Sequence, residues 1–210
     1  MAPIVKPYDL NDFRIFSSEK DHAYSVWVPD RNYIVLGKAN QIDDSVMIEH
    51  AQADGVEILK RPSGGEAVFL SPGMLVISYK FICGNRIRIH DYFKIINSKI
   101  VSALEDLGIK NLHLKGISDI AIGHKKILGS SMYKKNDTGF YHAVLNVSES
   151  VSLMERYLKH PKREPDYRAG RSHDEFVTSL LREGYQQDVD IYSKGIEKKL
   201  KELTCSYQIF

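Results

Sequence analysis

The chain has only two cysteines in 210 residues, Cys83 and Cys205, far apart and unaccompanied. Such usage argues against a disulfide frame or a thiolate metal site and suits a reducing compartment. Long apolar runs are missing too: nothing approaches the roughly 20 residues of a membrane span, and MAPIVKPYDL holds no secretory h-region. The expected location is therefore cytoplasmic, with no membrane partner. An excess of one charge is also lacking, since 29 Lys and Arg meet 27 Asp and Glu for a net +2. That excludes the global basic field of a nucleic-acid binder. Several familiar signatures are absent: GxxxxGK[ST], GxGxxG after a strand, HExxH, any i,i+4 histidine pair, and a GxSxG elbow around Ser63. Simple P-loop, Rossmann, zinc and serine-hydrolase readings fail with them.

What is present reads as one ordinary folded unit over residues 1–210, 43% apolar and 27% charged, with no repeat, low-complexity tract or linker. Ala23–Val28 and Tyr33–Leu36 read as strands around the turn PDRN. A helix is expected from an N-cap at Asp44 or Ser45 up to Gly55. Strands at 56–59 and 67–70 flank a glycine turn, and Met74–Ile82 reads as a central strand. From Tyr92 to Leu107 apolar residues recur at helical spacing, with Gly108 where a helix stops. Further strands are expected at 111–114, 119–122, 127–132 and 140–147, then a helix from Ser148 to about Leu158. Residues 160–173, with two prolines and four cations, cannot be helix interior and read as a mobile loop. Ser172 to Glu175 forms a capping box ahead of Phe176, Leu180 and Leu181, and an amphipathic helix spans 193–203. The fold class is α+β: a mixed, mostly antiparallel sheet with flanking helices.

Two stretches carry candidate chemistry. In Lys60–Val68, KRPSGGEAV, adjacent glycines open backbone conformations closed to other residues and let a ligand approach. Successive N–H groups there form an anion-binding concavity, and Arg61 adds a rigid fork of donors. A β-hairpin turn using glycine for geometry alone accounts for the same residues. In Ser118–Ser131, SDIAIGHKKILGSS, an acidic strand start precedes a turn, a lysine pair and small residues. Lys125 and Lys126 alternate in direction, so one crosses the sheet face and can serve an acyl or phosphoryl oxygen; two solvated lysines on a hairpin are the plainer alternative.

Together these stretches resemble the lipoate–protein ligases of the biotin and lipoate ligase superfamily. That family's R-R-x-S-G-G-G-A-V is similar to Lys60–Val68, its N-D-x(4)-G-x-K-I-x-G-S to Ser118–Ser130, and its H-G-x-L-L strand to His142–Leu145 after Gly139-Phe140. The order and spacing agree across roughly residues 27–160. The resemblance implies the fold of biotin ligases and class II aminoacyl-tRNA synthetases. It also implies activation of lipoate by ATP with Mg²⁺ to lipoyl-AMP, then transfer of the lipoyl group to a lysine of a carrier domain. By the same resemblance Lys126 lies between carboxylate and α-phosphate. Arg61, Ser63, Gly64, Gly65, Glu66, Ala67, Val68 and Phe69 hold nucleotide and acyl chain, joined by Asp119, Gly129, Ser130 and His142. Asp119 is the Mg²⁺ candidate. Arg168 and Arg171 could dock an acidic carrier or cap the adenylate.

The chain departs from the pattern at Glu66 for the third glycine, Lys60 for the first arginine, Leu70-Ser71 for H-D, and Ala143 for the glycine after histidine. Neither the long N-terminal helix of many relatives nor a C-terminal accessory domain is expected, so a separate small subunit is an expected partner. Two other readings stand beside the ligase: an ATP-independent lipoyl or octanoyl transferase using a cysteine thioester, and a non-catalytic lipoyl-carrier-binding subunit.

Overall fold

The computed structural model describes residues 3–83 and 88–207. In chain order it contains β1 (Val5–Pro7), α1 (Phe13–Phe16), β2 (Ala23–Trp27), β3 (Tyr33–Leu36), α2 (Ile42–Ser45), α3 (Ile48–Ala53), β4 (Glu57–Lys60), β5 (Val68–Leu70) and β6 (Met74–Ile82). Then follow α4 (Ile89–Asp106), β7 (Leu112–Lys115), β8 (Asp119–Ile122), β9 (Lys125–Lys135), β10 (Thr138–Asn146), α5 (Val151–Tyr157), a 3-10 turn (Asp166–Arg168), α6 (His173–Phe176) and α7 (Val189–Tyr207).

The α+β class and mostly antiparallel pairing hold, with the strands divided between two sheets. The larger runs β2-β6-β10-β9-β8-β7 and is antiparallel throughout. The smaller runs β1-β4-β3-β5, parallel except between β3 and β5. The PDRN turn therefore carries the chain from one sheet to the other, and β2 and β3 do not form a hairpin. β4 and β5 do not pair either, because both flank β3. The glycine stretch between them is a crossover at the end of β3, so the hairpin-turn alternative does not describe it.

The two long helices lie on one face of the larger sheet. Leu75, Ile77 and Tyr79 of β6 alternate toward Ile96, Ile100 and Leu104 of α4 and Ile196 and Leu200 of α7. Gly108 has φ +87°, the left-handed stop the sequence implied for α4. Val76 points the other way and packs with Tyr8, Tyr33, Val35, Leu59 and Leu70 between the sheets. Ile34, Leu36 and Phe69 face outward from the smaller sheet onto Ala51, Tyr157 and Leu158.

Three helices differ from their sequence pattern, each for a tertiary reason. The single helix expected before Gly55 is broken in two, because Val46 is extended, fully buried and bridged to Leu158. The capping box at Ser172 and Glu175 is formed on both sides, yet α6 stops at Phe176. There Val177 bridges to Lys126, and the Thr178 N–H donates to the Lys126 carbonyl at 2.9 Å. The last helix extends beyond 193–203 at both ends. No helix among the described residues is long and apolar enough to cross a membrane.

Candidate active site

Between the edge strand β5 and the inner face of the larger sheet lies a cavity of about 570 Å³, within the range of small-molecule sites. Val35, Leu70, Met74, Val76, Val144 and Met154 give it apolar walls, while Asp119, Lys126, Ser130, Arg168 and His173 supply polar groups. Residues 161–168 and α6 contribute Pro161, Arg163, Pro165, Asp166 and Phe176.

The glycine bend is built from inside by Arg61. Its Nε donates to Ser63 Oγ at 3.0 Å, one Nη to the Val35 carbonyl at 3.1 Å, and the other to the carbonyls of Gly64 and Glu66 at 2.9 and 2.8 Å. Three of its five donors are thus spent on the bend and a fourth on β3. Arg61, expected with the 64–69 turn to hold nucleotide and acyl chain, lines the cavity, while most of its fork shapes the turn. Burial pulls its pKa down to about 10. Ser63 is also a support residue: it is buried, bonded to His142 Nε2 at 2.6 Å, and outside the cavity lining. Gly64 faces Ser131, whose hydroxyl donates to the Gly64 carbonyl at 2.7 Å. Gly65 takes φ +89°, a conformation that suits glycine. Below it, a Cβ on Gly37 would lie 2.0 Å from the Gly65 carbonyl oxygen, so two backbones meet there without side chains.

Glu66 lines the cavity with Ala67, Val68 and Phe69. Its carboxylate is held sideways by Asn40 Nδ2 at 3.2 Å. Asn40 is itself fixed, accepting from the Gly37 N–H at 2.8 Å and, through its carbonyl, from Lys60 Nζ at 2.6 Å. The residues at two departures from the motif, Lys60 and Glu66, are therefore joined through Asn40.

From the other sheet, Lys126 on β9 folds back over Gly129. A Cβ at Gly129 would meet Nζ at 2.6 Å and Cε at 2.7 Å. Residues 129 and 131 share a strand face, so the ammonium and the bend address the same cavity. Lys126 Nζ pairs with Asp119 Oδ1 at 2.9 Å, and Tyr167 donates to Asp119 Oδ2 at 2.8 Å. Ser130 Oγ donates to the Ser118 carbonyl at 2.6 Å. His142 is buried, and burial followed by the Arg61 charge draws its pKa down to about 3. It is a neutral group at the cavity wall.

Arg168 is buried, with 4% of its surface exposed, and faces the cavity. So little exposed surface offers little to a carrier domain, the first of its two expected roles, and it packs over Phe176 at 4.9 Å. Arg171 does not line the cavity and donates to the carbonyls of Arg168, His124 and Tyr167. Residues 160–173 are thus tied down at several points, including a Lys162–Asp44 pair at 2.6 Å. Sequence reasoning missed Tyr167, His173 and Asn40 as residues of the site.

Among the described residues no group of three His, Cys, Asp or Glu side chains could hold a metal. A Mg²⁺ bound chiefly through substrate phosphates needs only one or two carboxylates, but both oxygens of Asp119, the expected ligand, are already taken by Lys126 and Tyr167. Neither cysteine touches the cavity: Cys83 is buried with its thiol pKa raised by burial, and Cys205 is exposed.

The family model for the lipoyl protein ligase A/B catalytic domain matches residues 13–200. Lipoate–protein ligase 1 of Staphylococcus aureus is 29% identical over 150 residues, 71% of this chain and 45% of that protein. Among solved structures, the bi-partite lipoate protein ligase of Thermoplasma acidophilum superposes with a TM-score of 0.80 at 18% identity, covering 98% of this chain and 84% of that one. A lipoate-protein ligase A bound with ATP gives a TM-score of 0.77 at 19% identity, covering 98% and 86%. The chain spans about half the length of the curated relatives it matches.

Proposed function

This chain belongs to the lipoyl protein ligase A/B catalytic-domain family, and we propose on that premise that it joins lipoate to AMP and passes the lipoyl group to a carrier lysine. The observation that carries the proposal is the meeting of the Lys126 ammonium and the Gly64–Gly65 bend at one cavity with apolar walls. A saturated acyl tail needs a dry slot, and Val35, Leu70, Val76 and Val144 offer one. Its carboxylate then lies toward the polar groups. A carboxylate oxygen attacks the α-phosphorus of ATP and pyrophosphate leaves. The amine of the carrier lysine next attacks the acyl carbon and AMP leaves.

Both steps build negative charge on oxygen, which a fixed ammonium stabilises where water is excluded. Asp119 holds Lys126 in place, and the Gly129 site lets its stem lie flat on the strand. Mg²⁺ held by the phosphates of the nucleotide itself would neutralise their charge. ATP use is supported by the neighbour solved with that nucleotide. A lipoyl carrier and a separate small ligase subunit are part of the proposal, supported by the bi-partite neighbour described with its E2 lipoyl domain. The thioester alternative lacks an accessible thiol at the cavity.

The test is incubation with ATP, Mg²⁺ and lipoate, alone and with an accessory ligase subunit, reading pyrophosphate release and retained acyl-adenylate. Lys126→Ala is expected to cut release by roughly 10²–10³-fold, the usual effect of losing one such contact. An unaffected K126A protein, or a wild type inert under both conditions, refutes the reading.

A further inference from the structure

The segment covering the cavity contains a buried donor that finds no acceptor among the described residues. Arg168 closes the 3-10 turn Asp166–Arg168, and 4% of its surface is exposed. Its Nε donates to the Arg171 carbonyl at 2.9 Å and lies 3.4 Å from Glu164 Oε2. Nη2 is buried without a hydrogen-bond partner among the described residues, and the side chain lines the cavity. An unpaired buried donor is costly, and a guanidinium keeps its donors over the working pH range. A planar fork of this kind matches carboxylate and phosphoryl oxygens.

The turn is held in one shape by costly means. Ala169 sits at φ +52°, left-handed for a residue with a Cβ, and Gly170 follows at φ +73°. The Gly170 N–H donates to Glu164 Oε1 at 2.8 Å. Such backbone strain persists where surroundings over-determine it, often beside a ligand. Tyr167, next in chain to Arg168, donates to Asp119, whose other oxygen holds Lys126. One carboxylate therefore sets the position of both the ammonium and the turn that carries the guanidinium.

We propose that Arg168 is a substrate-binding residue of this cavity: its unpaired Nη2 donates to an anionic oxygen, carboxylate or phosphoryl, of the molecule held at Lys126. Tyr167 acts as a positioning residue, fixing the turn through Asp119. The proposal rests on the acyl-adenylate reading for the identity of that molecule. Arg171 is the internal contrast, since its donors serve the carbonyls of Arg168, His124, Tyr167 and Glu175.

The experiment measures AMP and lipoate affinities separately, by calorimetry on the whole chain, for wild type, R168Q, R168K and R171Q. A tenfold or greater loss of AMP affinity in R168Q and R168K, with lipoate affinity kept, assigns the phosphoryl oxygen. The reverse pattern assigns the carboxylate, and loss of both assigns a bridging position. Unchanged affinities in R168Q overturn the proposal, as does an equal loss in R171Q, which would mean that loosening the segment is sufficient. Circular dichroism identifies an R168Q that fails to fold; R168K, which keeps charge and stem but not the fork, then decides. A wild type that binds AMP yet releases no pyrophosphate, with or without an accessory subunit, refutes the ligase reading and leaves the Arg168 comparison intact. A wild type that binds neither anion overturns both.

Discussion

Asn40 holds the carboxylate of Glu66 at the cavity wall, where, on the proposed function, a phosphate would lie. The family motif has glycine there, and an uncompensated negative charge in a nucleotide site raises the cost of binding. The Asn40 amide holds Glu66 through one hydrogen bond, worth about 1 kcal/mol. Asn40→Ala is expected to raise the KM for ATP by roughly 3–10-fold, the equivalent of that bond. In the double variant N40A/E66G the KM should return to the wild-type value. Steady-state pyrophosphate release measures both, and no recovery in the double variant would show that the brace serves another end. His142 makes a second residue-scale prediction. Its folded pKa of about 3 lies below the free value of 6.5, so the unfolded chain binds a proton the folded chain refuses. Stability is then full above about pH 6.5 and falls as pH drops toward 3, by at most ~1.4 kcal/mol per pH unit. Urea midpoints at pH 7, 6 and 5 should fall for wild type and fall less steeply for His142→Gln.

At the scale of elements, β9 does two tasks at once. It is a central strand of the larger sheet, and at Gly129 it leaves a gap that the Lys126 stem fills. Filling that gap meets the end of a flexible side chain rather than backbone, so the strand tolerates it while the ammonium is displaced. Gly129→Ala is expected to keep a thermal midpoint within about 2 °C of wild type, as surface-like changes do. Its adenylation rate should fall roughly 10²-fold, as when a charge-stabilising contact is misplaced. A rate loss matched by a large stability loss would mean that the strand itself had failed. The short α6 belongs to the same scale. Its capping box starts a helix as local chemistry demands, and pairing of Val177 with Lys126 ends it one turn later.

Taken as a whole, the molecule places its cavity between two sheets, so a bound ligand adds to the contacts between them, which include the cluster around Tyr33 and Leu70 and the Ser63–His142 and Ser131–Gly64 hydrogen bonds. A ligand that binds only the folded state at 100 times its Kd adds about 2.7 kcal/mol. For a chain of this length that is a rise of roughly 5–10 °C in thermal midpoint, measurable by calorimetry with a non-hydrolysable lipoyl-adenylate analogue. The local code was legible from the chain alone: strand periodicity in Met74–Ile82, helical spacing from Tyr92 to Leu107 with its glycine stop, and the capping box at Ser172. That the glycine bend and Lys126 belong to one site was an expectation from the family resemblance, since the residues alone left a plain turn and a solvated lysine open. The chain could not say that β3 would stand between β4 and β5, since neighbours in a sheet are chosen by burial over long sequence distances. Nor could it say that Arg61 spends most of its donors on its own bend, that Asn40 restrains Glu66, or that Arg168 turns inward. Those outcomes depend on which surfaces close over which polar groups, and that is settled only when the two sheets and the 160–173 segment come together.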